Sequence, residues 1–264
     1  MFNNYHTHTA LCKHAEGMPV DYCRVAVSHG STILGFSDHC PWPDGLWNSV
    51  RMDFNQLDTY FSAIQEAREH FPQLEIHAGL ETEYRKDLGN FIPETFLCPG
   101  RAEYLLLALH SYLDEMREWQ DSWHLKSAEG LLGYARHAVE AMQTGWFTAF
   151  AHPDIFANGG CDWGNAALEC SKMILQTAQD CHIPLELNCN GMHRKLVTDE
   201  NGLPRRPYPY LPFWALAAKY DVQVFIGADA HRPDFLFSTN EDCLAIAHYY
   251  GLNVIETLPI CTIQ

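Results

Sequence analysis

Short, almost continuously apolar segments alternate along this chain with longer segments whose apolar residues recur at helical spacing. The apolar segments of strand length lie at 32–39, 74–84, 103–111, 147–154, 183–191 and 222–231. Apolar runs without strict polar alternation are typical of parallel strands that are buried on both faces. Together with a first segment around His6 and His8, they predict about seven parallel strands.

The intervening segments have the pattern of amphipathic helices. They lie at 20–29, 53–70, 127–143, 163–181, 209–219 and 239–250. In the second of them, Leu57, Tyr60, Phe61 and Ile64 fall on one helix face. Repeated strand–helix alternation predicts an α/β barrel or a doubly wound sheet. The segment 192–209 is rich in proline and basic residues and is predicted to be a long loop.

The length and overall composition are those of an ordinary α/β protein. With 264 residues, of which 47% are hydrophobic and 19% charged, the chain has enough apolar material for one sizeable core. We therefore expect a single domain over residues 1–264. No stretch approaches the roughly 18 apolar residues of a membrane span, so no membrane partner is expected. The N-terminus lacks a basic segment followed by an apolar run, which favours a cytoplasmic protein.

The cysteines favour reduced thiols over a disulfide framework. There are ten, and Cys170, Cys181 and Cys189 fall inside predicted helices or strands. No CxxC pair is present, which disfavours a zinc ribbon. We therefore expect buried, reduced thiols, as in proteins of the cytosol.

The net charge of −16 argues against one class of partner. Proteins that hold nucleic acid without sequence preference usually carry a basic face, and this chain would repel a phosphate backbone. No stable nucleic-acid binding is therefore expected. A small anionic substrate held at a cationic metal centre remains compatible with this charge. The sequence does not define the oligomeric state.

Residue types that bind metals stand at the ends of the predicted strands. They are His6, His8, His14, Asp38, His39, Glu81, His110, His152, Asp229 and His231. In a parallel barrel the carboxyl ends of all strands open into one mouth, which would bring these side chains together. The two histidines of an HxH pair on a strand point to the same face. Mixed histidine and carboxylate ligation suits Zn, Mn or Fe, and a carboxylate can bridge two ions.

The alternative for any single histidine is a hydrogen-bonded core residue without a ligand role. Buried together without a metal, however, these groups would compete for few partners. Histidines on the predicted helices, such as His70 and His137, do not join the pattern. We therefore predict a metal site.

The ordered series "HTH", "SDH", "GLETEY", "ALHS", "AHPD" and "GADAHRP" resembles the PHP (polymerase and histidinol phosphatase) family, and most closely its stand-alone histidinol-phosphatase branch. The resemblance covers nearly the whole chain. It implies a distorted (β/α)7 TIM-like barrel with a metal centre at the C-terminal ends of the strands. It also implies two or three divalent transition metal ions (Zn, Mn or Fe).

The resemblance also implies a ligand set, carried over by position. A first ion would take His6, His8, Glu81 and Asp229, a second His14, His39 and His231, and a third Glu81, His110 and His152. All of these positions hold the expected residue type. His14 would therefore bind a different ion from His6 and His8.

Basic residues near the same mouth are candidates for holding a phosphate. The stretch "ELNCNGMHRK" (186–195) resembles the family segment that supplies a phosphate-binding arginine, and Arg194 is its best match. His193, Lys195 and Arg232 are further candidates for substrate binding, with a solvated loop charge as the alternative for each. Asp38 could orient a ligand, bind a metal or donate a proton. We predict catalytic roles for Asp38, Glu81 and Arg194.

The resulting hypothesis is hydrolysis of a small phosphate monoester, with a metal-bridging hydroxide as the nucleophile. By resemblance, the favoured substrate is L-histidinol phosphate. Fold and metal centre indicate a reaction class and leave the alcohol open. The alternatives are a PHP phosphoesterase for another small ester or nucleotide, a C–N hydrolase on the same barrel, and a metal-binding module without catalysis.

Overall fold

The computed structural model describes residues 3–199 and 201–260, in which strands alternate with helices. In chain order the strands are β1 (Ile33–His39), β2 (Glu75–Thr82), β3 (Tyr104–Leu107), β4 (Ser111–Leu113), β5 (Trp119–Asp121), β6 (Ala149–Phe150), β7 (Leu185–Asn188), β8 (Val197–Thr198), β9 (Pro204–Arg205), β10 (Gln223–Gly227) and β11 (Asn253–Val254). The α-helices are α1 (Pro19–Ser28), α2 (Leu57–His70), α3 (Phe91–Phe96), α4 (Ala128–Gln143), α5 (Asn165–Asp180), α6 (Leu211–Ala217) and α7 (Asn240–Tyr250).

One parallel sheet carries the fold, and the N-terminal segment closes it. The strand order is β1-β2-β3-β6-β7-β10-β11, and every neighbouring pair in it is parallel. Residues 4–8 lie between β1 and β10, because Asn4 bridges Leu34 of β1 and Thr7 bridges Ala230 after β10. The first predicted strand is therefore present as a bridging segment that links β1 to β10.

Alternation along the strands decides which side chains face the barrel interior. In β1, Leu34 and Phe36 pack among helix residues, whereas Ile33 belongs to a separate cluster inside the barrel. Counting every second residue along each strand from the members of this interior cluster identifies the side chains near the strand ends that also face the interior. They are His39, Glu81, His110, Glu186 and Asp229. The register of β1 with β2 sets His39 directly beside Glu81.

The closed end of the barrel is filled by an aromatic ring that crosses two strands. Tyr104 lies over Gly35 and Gly79, where an added Cβ would come within 2.4 and 2.5 Å of its side chain. Its hydroxyl donates a hydrogen bond to the carbonyl oxygen of Tyr5 at 2.6 Å. Only glycine fits under this ring, so the barrel is plugged below the strand ends and open above them.

The six predicted helices are present, with local reasons for their ends. Pro19 opens α1, and the Asp21 carboxylate accepts a hydrogen bond from the Met18 amide. The Ser127 hydroxyl accepts one from Gly130 at the start of α4, and α7 ends at Gly251 in a left-handed conformation. In the described part of the chain, no helix is long and apolar enough to cross a membrane.

Four features were not predicted from the sequence. They are the short helix α3, the β4–β5 hairpin, the two-residue strands β8 and β9, which pair inside the predicted loop 192–209, and the two-residue edge strand β11. Two or three paired residues are too few to produce a hydrophobic period. The thiols of Cys170 and Cys189 are buried and unbridged, as expected, whereas Cys181 is partly exposed.

Candidate metal centre

Glu81, at the end of β2, lies at the middle of a cluster of five histidines. Its Oε1 lies 2.8 Å from His152 Nε2 and 3.4 Å from Nε2 of both His6 and His110. Its Oε2 lies 2.7 Å from His39 Nδ1 and 3.5 Å from His8 Nε2. The two carboxylate oxygens therefore face different groups of rings, which is the arrangement expected of a carboxylate between two ions.

Asp229, just after β10, joins this cluster to a rim closer to solvent. Its Oδ1 lies 3.1 Å from His8 Nε2, 3.7 Å from His6 Nε2 and 3.3 Å from His231 Nδ1. His231 Nε2 in turn lies 3.0 Å from His14 Nε2. The structure thus brings together all nine residues that the sequence analysis proposed as ligands.

Several of these atoms are buried and, although some lie close to one another, make no hydrogen bond of suitable angle within the described part of the chain. They include Nε2 of His6 and His8, Nδ1 of His39 and Oε2 of Glu81. Burying such groups without a partner costs on the order of 1–3 kcal/mol each. Their convergence on a common space, together with the donor types, fits divalent cations.

Three of the histidines have a carboxylate oxygen near Nδ1, the ring nitrogen on the side away from the centre of the cluster. Glu186 Oε1 lies 2.7 Å from His6 Nδ1, and Glu83 Oε1 lies 2.8 Å from His110 Nδ1. Asp38 Oδ1 lies 3.4 Å from His8 Nδ1. Carboxylates in this position fix the orientation of a ligand ring and increase its basicity.

The two rim histidines have weaker support. His14 Nδ1 lies 2.9 Å from the carbonyl oxygen of Cys12, and His231 Nδ1 lies 3.0 Å from the carbonyl oxygen of Asp229. A backbone carbonyl is the nearest acceptor for each of these rings, and only His231 also has a carboxylate oxygen near the same nitrogen, Asp229 Oδ1 at 3.3 Å, which belongs to a proposed ligand. The centre therefore has an inner part in which three rings are supported by carboxylates and a rim whose rings are oriented mainly by the backbone.

The electrostatics of the cluster favour a bound cation. Burial raises the pKa of Glu81, but the surrounding histidines hold it well below its usual range. Burial works to lower the pKa of His6, yet three nearby carboxylates together raise it to about 10. At the rim, burial and the neighbouring His8 lower the pKa of His231 to about 4. At the His6 ring the three carboxylates thus outweigh burial, and a divalent cation would neutralise their negative charge.

A cavity of about 440 Å³ opens above the cluster. His14, His39, His110, Asp229 and His231 form its floor, and Trp47, Arg51, Trp123, Asn190 and Arg194 are among the residues that line its wall. The Arg194 guanidinium lies 4.9 Å from the centre of the Trp123 ring, which itself stacks on His110. Two arginine side chains thus stand beside the floor, where they could hold an anion.

The other proposed basic residues do not line this cavity. His193 stacks on Phe235 and is 3.1 Å from the Ser238 hydroxyl. Arg232 pairs with Asp234, and Lys195 is exposed. These side chains therefore have partners or solvent outside the cavity.

Asp38 is buried behind His8. Its Oδ2 accepts hydrogen bonds from the Thr9 amide and hydroxyl, and its Oδ1 accepts one from the His39 amide at 2.9 Å. It does not line the cavity. Of the three roles left open by the sequence, this position suits orientation of the His8 ring and is poorly suited to proton donation.

The sequence analysis did not identify Glu186, Glu83 or Arg51. Glu186 also accepts hydrogen bonds from the His152 amide and from Asn188, and Glu83 is paired with Arg51. For Glu186 a signal was present, because a charged residue at interior parity inside the apolar segment 183–191 needs a buried partner. Arg51 arrives from a loop and carries no such pattern.

Comparisons with known proteins agree with this geometry. A family model described as "PHP domain" matches residues 4–190. A protein named "Probable histidinol-phosphatase" from Deinococcus radiodurans is 28% identical over 237 residues, covering 86% of this chain and 85% of the relative.

Two solved structures share the fold at 16% sequence identity. A "putative histidinol phosphatase" HisK from Listeria monocytogenes has a TM-score of 0.73 and covers 91% of this chain and 99% of its own. Histidinol phosphate phosphatase from Lactococcus lactis, solved with zinc, L-histidinol and phosphate, has a TM-score of 0.70 and covers 96% and 95%. The predicted distorted barrel is thereby confirmed.

Proposed function

The chain belongs to the PHP domain family, and from this premise we propose that it is a metal-dependent phosphomonoesterase whose favoured substrate is L-histidinol phosphate. One observation carries the proposal. Nine metal-binding side chains converge below a cavity of about 440 Å³ whose wall also holds two arginines. Metal ligands beside guanidinium groups suit a phosphate ester, which needs charge neutralisation on its oxygens.

The choice of alcohol is supported by the relatives. The Lactococcus lactis structure contains L-histidinol and phosphate, the two products that hydrolysis of L-histidinol phosphate would give. The Deinococcus radiodurans relative is named for the same activity and matches most of this chain. A PHP phosphoesterase for another small phosphate ester or nucleotide is the second candidate, because the cavity is also lined by aromatic rings that could stack on a base.

We propose the nine clustered residues as the ligands of two or three Zn, Mn or Fe ions. Glu81 and Asp229 would hold inner ions with His6, His8, His110 and His152, and His14, His39 and His231 would hold an outer one. Bound ions would supply positive charge for the phosphoryl oxygens and a water of lowered pKa. The three carboxylates around His6, which raise the pKa of that ring to about 10, support this assignment.

The proposed substrate-binding group is Arg194, with Arg51 as a second cation. Arg194 is held over Trp123 at 4.9 Å, which keeps its guanidinium at the cavity wall. The Arg51 side chain is buried, and its Glu83 partner also contacts His110. Arg51 would therefore position a ligand histidine while it adds positive charge at the mouth.

We also propose that residues 1–264 form a single domain. The first and last parts of the described chain belong to the same sheet, because residues 4–8 and β11 both lie beside β10. This supports the proposal.

The first experiment is phosphate release from a panel of phosphate monoesters, with the metal content of the protein determined. We expect a strong preference for L-histidinol phosphate, with kcat/KM of about 10⁴ M⁻¹s⁻¹ or more. Activity spread over other esters would keep the phosphoesterase chemistry and reject this substrate. A fully metallated protein without activity on any ester would overturn the proposal.

A variant pair separates phosphatase from C–N hydrolase chemistry. Arg194→Ala should lower kcat/KM for the phosphate ester by about 10- to 100-fold, since a hydrogen bond to a charged group is lost. Arg232→Ala, an exposed arginine paired with Asp234, is the matched control and should leave kcat/KM within about twofold. Unchanged activity of Arg194→Ala would favour a substrate without phosphate.

A further inference from the structure

We propose that the thiol sulfur of Cys12 is an additional metal ligand at the rim of the centre, where it binds the same ion as His14 and His231. The inference rests on the proposed metal centre and adds a thiolate to a set made otherwise of imidazoles and carboxylates. Neither the sequence pattern nor the resemblance to the PHP family assigned a role to this cysteine.

The distances suit a shared ion. The Cys12 sulfur, one ring nitrogen of His14 and one of His231 all lie within 4.8 Å of one another. Zn–S bonds of about 2.3 Å and Zn–N bonds of about 2.0 Å place the donors around one ion roughly 3–4 Å apart. The two rim imidazoles already meet this, with 3.0 Å between their Nε2 atoms.

The local backbone turns Cys12 inward. Residues Ala10–Cys12 form a 3-10 turn whose first residues are held by the Thr9 side chain, and Lys13 then adopts a left-handed conformation with φ of 71°. Lys13 consequently points outward to Asp53, while Cys12 is fully buried. The carbonyl of Cys12 holds His14 Nδ1 at 2.9 Å, so the turn fixes the ring and the thiol as one unit.

Cys12 differs from an ordinary core cysteine in its surroundings. Its sulfur also belongs to a second compact group of possible donors, with His8 and Asp38. Cys23, equally buried on the adjacent helix α1, has a thiol whose pKa burial alone raises to about 12. The two thiols therefore have the same burial and different neighbours, which makes Cys23 a matched control.

A thiolate would supply what the rim lacks. Three of the inner histidines have a separate carboxylate at Nδ1, whereas the nearest acceptor at Nδ1 of His14 and of His231 is a backbone carbonyl oxygen. On coordination the Cys12 sulfur would release its proton to solvent and bring one negative charge to the outer ion. Because thiolate is a soft donor, the outer position would select zinc over manganese.

Cobalt substitution tests the inference without reference to activity. The apo protein is loaded with Co²⁺, its stoichiometry is measured, and its near-ultraviolet spectrum is examined for thiolate-to-cobalt charge transfer. We expect this absorption in the wild-type protein and in Cys23→Ser, and its loss in Cys12→Ser. Zinc titration of Cys12→Ser should show one ion weakened by more than the roughly 10- to 100-fold that loss of an orienting group costs.

Two results would overturn the inference. One is a fully cobalt-loaded wild type without charge-transfer absorption, which would place the thiol behind the ligand rings. The other is an absorption that persists in Cys12→Ser. If Cys12→Ser does not fold, the wild-type spectrum and Cys12→Ala still decide the question. A protein that shows the absorption and hydrolyses no phosphate ester would reject the proposed function and leave the thiolate ligand intact.

Discussion

The inner part and the rim of the candidate metal centre use the same side chain in different settings. Inner rings such as His6 and His110 have a carboxylate 2.7 or 2.8 Å behind them. At the rim, the nearest acceptor in the same position is a backbone carbonyl oxygen for both His14 and His231, and the only carboxylate near either nitrogen is that of Asp229, itself a proposed ligand, 3.3 Å from His231. A carboxylate partner makes an imidazole a stronger ligand and locks its ring. The difference predicts tightly held inner ions and a more exchangeable outer ion.

Removing the negative charge of Glu81, at the middle of the candidate metal centre, should have the largest effect on metal binding and activity. Glu81→Gln keeps the shape of the side chain but takes the anion away from five imidazoles. We expect bound metal to fall by at least one ion per chain. The kcat/KM for a phosphate ester should fall by about 10³-fold or more, beyond the cost of one lost stabilising donor.

Metal analysis and steady-state kinetics check this prediction. Glu75→Gln, at the other end of the same strand and 62% exposed, is the control and should behave like wild type. Full metal content in Glu81→Gln would mean that the centre does not depend on this carboxylate.

The support behind an inner ring can be removed without touching a proposed ligand. In Glu186→Gln, His6 keeps a hydrogen-bonding partner but loses the negative charge behind it. We expect metal binding to weaken by about 10- to 100-fold, measured by competition with a coloured chelator. Gly227 packs against the same carboxylate, since an added Cβ would lie 1.7 Å from Glu186 Oε1.

Glu169→Gln, on the exposed face of α5, serves as the control for that measurement. If Glu186→Gln binds metal as tightly as wild type, the carboxylates of the inner part do not distinguish it from the rim.

A chelator should remove ions from the rim and from the inner part of the metal centre at different rates. With excess EDTA, we expect one ion per chain to leave at least about ten times faster than the others, because the chelator reaches the exposed His14 and partly exposed His231 before the buried inner rings. Samples are desalted at intervals and their metal content is measured. Release of all ions in one phase would show that the inner part and the rim hold their ions equally long.

His137, outside the metal centre, shows how burial changes the pKa of a histidine that has no carboxylate in contact with its ring. His137 on α4 is buried, and its Nε2 is 3.0 Å from the carbonyl oxygen of Tyr84. Burial lowers its pKa to about 4, whereas the carboxylates around the equally buried His6 raise that pKa to about 10. The neighbours, and not burial itself, decide the charge of these rings.

His137 yields the smallest predicted effect. The pKa of His137 is lower in the folded protein than the value of about 6.5 in the unfolded chain. Protonation therefore favours the unfolded chain, and the free energy of unfolding is highest above pH 6.5, where the ring is neutral in both states. This stability is lost as the pH falls from about 6.5 through about 4, and by pH 5 the loss is about 2 kcal/mol. Urea unfolding at pH 7 and pH 5 should show a smaller loss for His137→Gln than for wild type. Equal losses would contradict the low pKa of His137.

The sequence predicted the parts of the fold that rest on periodicity. Apolar segments gave the main parallel strands, and helical spacing gave six of the seven α-helices. The β8–β9 pair was missed because two-residue strands have no period. The side chains proposed as ligands were found because each follows an apolar segment, and the carboxyl ends of parallel strands meet at one end of a barrel.

The substrate side was predicted less well. Arg194 reaches the cavity wall, whereas its neighbours His193 and Lys195 do not. Sequence adjacency cannot decide this, because in a turn consecutive side chains point in different directions. Arg51 was missed because it comes from a loop whose course depends on packing against Trp47 and pairing with Glu83.

By itself, the sequence determined the strand and helix alternation, the position of Glu81 and Asp229 at the ends of predicted strands, and the kind of chemistry that imidazoles and carboxylates can perform. Only the tertiary structure decided which group stands behind each ring. Glu186 meets His6 across 180 positions of chain, because residues 4–8 lie beside β10, which pairs with the strand β7 that carries Glu186. Contacts of that kind depend on closure and register, which no local pattern records.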